Sequence, residues 1–167
     1  MKNKIFLKGV VLGLITSFHI ACSPKKEEAI TPKVDKEQIK AQIVAIETVM
    51  ADIYNMRSAA SEEYYAEDAI SFSQNEAPLK GKFAIDQSIK ENLATLVEGD
   101  KVSFSVNEIF PSNDGMQVVE IGSYKVVDST NTLLFSGNYM SFFEKRGDKY
   151  VCIRDMTASD MQKTEKK

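Results

Sequence analysis

From residue 35 onward the apolar positions fall into two regimes, one helical and one extended. Ile39, Ile43, Ile46, Val49, Met50, Ile53 and Met56 recur at intervals of three and four, which predicts an amphipathic helix of five or more turns. Asp35, three residues ahead of Gln38, fits a capping box at its start. Lys36, Lys40, Glu47 and Asp52 are assigned to the opposite, solvent face. Residues 62–67 read as a short second helix and Ala69 to Ser73 as a strand, followed by a loop through Pro78. A third helix is predicted from Lys82 to about Val97, with Phe83, Ile85, Ile89, Leu93 and Leu96 inward and Gly99 at its stop.

The rest of the chain is strand-like. Val102, Phe104 and Val106 alternate with Ser103, Ser105 and Asn107. Asp114-Gly115 marks a hairpin, Met116 to Val127 a long strand, and residues 128–131 a turn. Leu133 to Lys145 and Lys149 to Met156 are two further strands around the Arg146-Gly147-Asp148 turn. Helices followed by a four-strand antiparallel meander place the domain, residues 35–161, in the α+β class. Residues 162–167 read as a frayed tail.

The first 34 residues follow a different pattern. Lys2, Lys4 and Lys8 precede an uncharged, mostly apolar run from Gly9 to Ala21, too short to span a bilayer but suited to a signal peptide. The run ends Ile20-Ala21-Cys22-Ser23, which resembles the lipobox of bacterial lipoproteins. That resemblance implies cleavage after residue 21, acylation of Cys22, and a membrane anchor in the cell envelope outside the cytoplasm, on a leaflet left open. Residues 22–34, with Pro24, Pro32 and the solvated run Lys25-Lys26-Glu27-Glu28, read as a flexible tether.

This processing changes the chemistry available. The 167-residue chain carries 21 Lys+Arg, 24 Asp+Glu, one His and two Cys. The signal takes three lysines and no acids, so the mature chain has net charge −6 and no basic stripe, which excludes nucleic acid as a partner. His19 leaves with the signal, so neither His-dependent triads nor His-ligated metals are available, and no cofactor is implied. Cys152 is left without an intrachain disulfide partner and reads as a small packed residue.

Tyr65-Ala66-Glu67-Asp68-Ala69, then Pro78, Gly81 and Ile85, resembles a stretch of nuclear transport factor 2-like (SnoaL-like, ketosteroid isomerase-like) proteins. So does the ending, Gly137-Asn138-Tyr139, Gly147-Asp148-Lys149-Tyr150 and Arg154-Asp155-Met156. The resemblance implies a cone: a strongly curved antiparallel sheet around the long first helix, two further helices, a pocket at the open end and homodimerisation through the outer sheet face. By the family's pattern the pocket is lined by Val49, Ile53, Ser71, Ser73, Val118, Glu120, Gly122, Tyr124, Met140, Phe142, Val151, Ile153, Asp155 and Thr157. Arg154 points outward. The steroid-isomerase base falls at Ser73, its tyrosine at about Val49 and its protonated aspartate at about Met140, so those groups are lost. A serine without histidine is too weak a base for that reaction.

Glu120 and Asp155 are the remaining inward acids and weak catalytic candidates. If they share a dry pocket, desolvation and mutual repulsion raise at least one pKa toward neutrality. Either could instead be structural, reaching the mouth or pairing with Arg154, Lys125 or Arg57. Tyr54, Tyr64, Tyr65, Tyr124 and Tyr139 could each hold a ligand or simply fill the core. Three functions stay open: a module binding a small, largely apolar ligand; a cofactor-free isomerase, dehydratase or hydrolase using Glu120 and Asp155; or an interaction domain.

Overall fold

The structure is a computed structural model that describes residues 34–58 and 64–161. The signal, Cys22, most of the tether and the tail from 162 lie outside the described residues. Helix α1 spans Lys36–Asn55, and Asp35 Oδ1 accepts the Gln38 N–H at 3.0 Å, closing the first turn. Strand β1 is Tyr65–Ser73, β2 Leu79–Lys80, and helix α2 Lys82–Thr95. The four long strands are β3 (Lys101–Pro111), β4 (Gln117–Val127), β5 (Leu133–Arg146) and β6 (Lys149–Ser159).

These strands form one curved six-stranded sheet in the order β2-β1-β6-β5-β4-β3. The meander β3 to β6 is antiparallel throughout, as the turn signals require. The sheet is nevertheless mixed, because β1 runs parallel to β6. A helix was expected over residues 62–67, but Tyr65 to Glu67 already belong to β1. Among the described residues there are therefore two helices, not three. Alternation decides this segment: Ala66 and Ala69 are buried while Glu67 and Asp68 face water, around a break in register between Tyr65 and Ile70. Helix α2 stops at Thr95, before Gly99, which turns the chain with φ 93°.

The core lies between α1, α2 and one face of the sheet. Ile43, Val118 and Phe143 are fully buried there. Each contributes roughly 1.5–3 kcal/mol relative to an exposed position. Two polar clamps fix the end of α1. Asn55 accepts the Val102 N–H at 2.8 Å and donates to the Val102 carbonyl at 2.9 Å. The Arg57 guanidinium donates to the carbonyls of Leu93 and Leu96, both at 3.0 Å, and of Val97. The end of α1 is thus tied to the start of β3 and to the end of α2.

Candidate functional site

Two polar features stand out in this framework: a set of buried acids and a cavity. Glu47 (α1), Glu120 (β4) and Asp155 (β6) are all buried. Each accepts a hydrogen bond from a tyrosine: Tyr64 to Glu47 at 2.6 Å, Tyr139 to Glu120 at 2.7 Å and Tyr65 to Asp155 at 2.7 Å. The second oxygen of each carboxyl is buried without a protein donor. Burial, and then the charge of Glu120, pushes Glu47 up to about 9. Burial raises Glu120 to about 7, against the lowering effect of its Tyr139 hydrogen bond. Asp155 is raised by burial and held back by Ser71 and Tyr65. Burial also pushes the Cys152 thiol well up, which keeps it protonated and unreactive.

The cavity, of about 640 Å³, opens between the end of α1, α2 and the far ends of the strands. Tyr54, Leu96, Phe104, Tyr124 and Phe135 supply aromatic and apolar surface, and Ser73, Asn92, Thr157 and Ser159 supply hydrogen-bonding groups. This volume falls in the range of small-molecule sites. The lining does not include the three buried acids. Ser73 and Thr157 are register partners and line it; the next inward pair along the same strands is Ser71 and Asp155. Asp155 therefore lies one step deeper than the cavity wall. Among the described residues no cluster of His, Cys, Asp and Glu could hold a metal ion.

No family model matches the chain, and no curated protein does. Solved structures do. A domain of unknown function with a cystatin-like fold from Nostoc punctiforme PCC 73102 superposes with TM-score 0.65 at 15% identity, over 77% of this chain and 82% of that one. A nuclear transport factor 2-like protein with a cystatin-like fold from Novosphingobium aromaticivorans gives 0.61 at 16%, over 76% and 86%. LinA gives 0.61 at 12%, over 75% and 88%. The domain has the cystatin-like, nuclear transport factor 2-like fold.

Within the nuclear transport factor 2-like fold, the strands place the expected site residues unevenly. On β4, Val118, Glu120 and Gly122 face inward as the resemblance implied, but they are buried away from the cavity, and of this set only Tyr124 lines it. Ile53 and Ser71 are buried, and Ser73 and Thr157 line the cavity. Four strand assignments are corrected. Met140 is 50% exposed and Phe142 shares its outward parity, because Tyr139, Ser141 and Phe143 are the inward residues of β5. Val151 and Ile153 are not on the inner face of β6; Tyr150 and Cys152 are. A bulge explains why Asp155 is nevertheless inward. Cys152 pairs with Phe143 and Arg154 with Phe142, so Ile153 is an extra residue and the alternation flips across it.

Val49 is also half-exposed, whereas Glu47, assigned to the solvent face of the helix, is 3% exposed. Its spacing was the overlooked signal, since Ile39, Ile43 and Glu47 follow one another at intervals of four. The acid facing Glu120 is consequently Glu47 rather than Asp155. The three positions carried over from the steroid-isomerase pattern do not converge: Ser73 lines the cavity, while Val49 and Met140 are half-exposed elsewhere. Arg154 donates to the Asp68 and Ile153 carbonyls, a structural role at the β1–β6 junction.

Proposed function

We propose that this domain is a small-molecule binding module, held at the cell envelope by a lipid on Cys22. The cavity of about 640 Å³ carries the reading. Its lining refines the ligand. An apolar body suits Tyr54, Leu96, Phe104 and Phe135, and a hydrogen-bonding edge suits Ser73, Asn92, Thr157 and Ser159, so a wholly apolar ligand would leave polar groups unpaired. The shared fold with the solved structures supports a ligand-binding module at this level and no finer. Catalysis by Glu120 and Asp155 has less support, because neither lines the cavity. The anchor rests on the sequence around residue 22; among the described residues no helix is long and apolar enough to cross a membrane.

Native mass spectrometry of the purified chain, with displacement of an environment-sensitive apolar dye, tests the binding reading. A retained small molecule, or saturable dye binding abolished by Ser73→Trp, is expected. Dye binding that survives this filling of the cavity would refute it. Incorporation of labelled fatty acid into the wild type but not Cys22→Ala tests the anchor.

A second reading, compatible with the first, concerns the outer face of the sheet. Ile121, Met140 and Met156 stand in register across β4, β5 and β6, next to Phe72 on β1. Met140 and Met156 are 50% and 58% exposed. An apolar row of this kind favours self-association through that face.

A further inference from the structure

We propose that Glu47 and Glu120 share a single proton, and that this proton latches α1 onto the inner face of the sheet. The geometry sets the problem. Glu47 Oε1 is taken by the Tyr64 hydroxyl and Glu120 Oε1 by that of Tyr139, while Oε2 of each is buried without a donor. An ionised carboxylate has no proton to give. Two ionised groups would therefore leave two orphaned oxygens and two like charges in the interior. The two carboxyls are close enough to act on each other's proton affinity. One proton between them lets Oε2 of one donate to the other and removes both defects. A buried ionised pair without that proton would be strongly disfavoured.

Among the described residues, the groups around the two carboxyls offer no alternative neutraliser. Tyr64 and Tyr65 approach from the start of β1, Tyr139 from β5, and Cys152 and Asp155 from β6; all are neutral or acidic. Phe104, Val106 and Ile109 of β3 are apolar. The ion pairs found among the described residues, Lys82–Asp86, Arg146–Asp68 and Arg146–Glu144, leave both acids out. The raised pKa values of both groups are consistent with retention of the proton at neutral pH.

The latch joins two hollows. Tyr64 lines a groove of about 270 Å³ with Gln42, Ile46 and Val49 of α1 and Lys149 and Tyr150 of β6. Tyr139 meets Phe104 edge-on at 5.8 Å, and Phe104 lines the main cavity. The chain Tyr64–Glu47–Glu120–Tyr139 thus runs through the core from one hollow to the wall of the other, and its middle link is the only contact in it that depends on a proton count.

The sign of the effect follows from linkage. Both carboxyls bind protons more tightly when folded than at the ordinary value of 4.5, so stability falls as pH rises from there to about 9. Denaturant midpoints measured between about pH 5 and 9.5 on wild type, Glu47→Gln, Glu120→Gln and the double variant test this. In Glu47→Gln a permanent amide donor replaces the proton, so the decline above about pH 7 should flatten. The two single losses should be strongly non-additive in the double variant. A wild-type slope retained in Glu47→Gln, or additive losses, overturns the proposal. If the variants do not fold, infrared spectroscopy of the wild type decides. The carbonyl stretch of a protonated carboxylic acid is expected near neutral pH and should vanish on alkaline titration; its absence near neutral pH overturns the proposal.

Discussion

The ring of Tyr139 lies across Gly122, its register partner on β4. A Cβ on that glycine would stand 2.1 Å from Tyr139 Cζ. The missing side chain is what lets the phenol reach diagonally to Glu120. Tyr124 does the same over Gly137 on β5, where an added Cβ would stand 2.6 Å from its ring. Two aromatic–glycine pairs, reciprocal across one strand interface, thus replace ordinary side-chain pairs with rings laid along the sheet.

Gly122→Ala should therefore destabilise the domain by about 1–3 kcal/mol through overpacking. It should also detach Tyr139 from Glu120. Thermal unfolding and the ultraviolet titration of tyrosine measure the two effects. An alanine variant with unchanged stability would mean that the ring has room to move aside.

Tyr65→Phe removes the hydroxyl that holds Asp155 at 2.7 Å. Burial already raises the Asp155 pKa, and this hydrogen bond counteracts that rise, so its loss raises it further. A carboxyl with a raised folded pKa costs more stability as pH rises. The expected loss is about 1–3 kcal/mol at pH 8 and less at pH 5. Equal losses at both pH values would show that the hydroxyl does not act on the ionised acid.

Asn55→Ala leaves the Val102 N–H and carbonyl without their side-chain partner and should cost about 1–3 kcal/mol. Arg57→Met releases the carbonyls at the end of α2. Because Asn92, Thr95 and Leu96 line the cavity, Arg57→Met should weaken dye binding more than its effect on stability accounts for. Dye affinity measured well below the unfolding transition checks this.

Met140→Lys and Met156→Lys place charges on the outward row of β5 and β6. If that face mediates self-association, the double variant should sediment as a monomer with an unfolding midpoint close to that of its own dissociated wild type. Wild-type protein that is already monomeric at high concentration would remove the second reading.

The sequence revealed the fold where local signals were sufficient and failed where tertiary pairing decided. The Asp114-Gly115 and Gly147 turns and the alternation of Val118, Glu120 and Gly122 are local; which parity of β4 faces inward came from the family resemblance, not from these signals. The inward set of β5 was off by one, because no residue in Leu133–Arg146 fixes which parity meets the core; strand pairing with β4 does. The extra residue at Ile153 is visible only against β5. Residues 65–67 carry helix-compatible side chains, but pairing with β6 draws them into a strand. Glu47 differs for another reason: its residue type suggests a solvent face while its spacing from Ile39 and Ile43 places it on the apolar stripe, which a protonated or hydrogen-bonded acid can occupy.

The parallel pairing of β1 with β6 has a temporal consequence. Tyr65 and Cys152 are direct register partners, and so are Ser73 and Thr157. On its other side β1 has only the two residues of β2. As the chain emerges, β1 therefore has both edges almost unpaired until the stretch from Lys149 to Ser159 has followed. Closure of this sheet is a late event, governed by contacts between residues made far apart in time. An emerging chain stalled before residue 149 holds an unmatched strand that a chaperone could recognise.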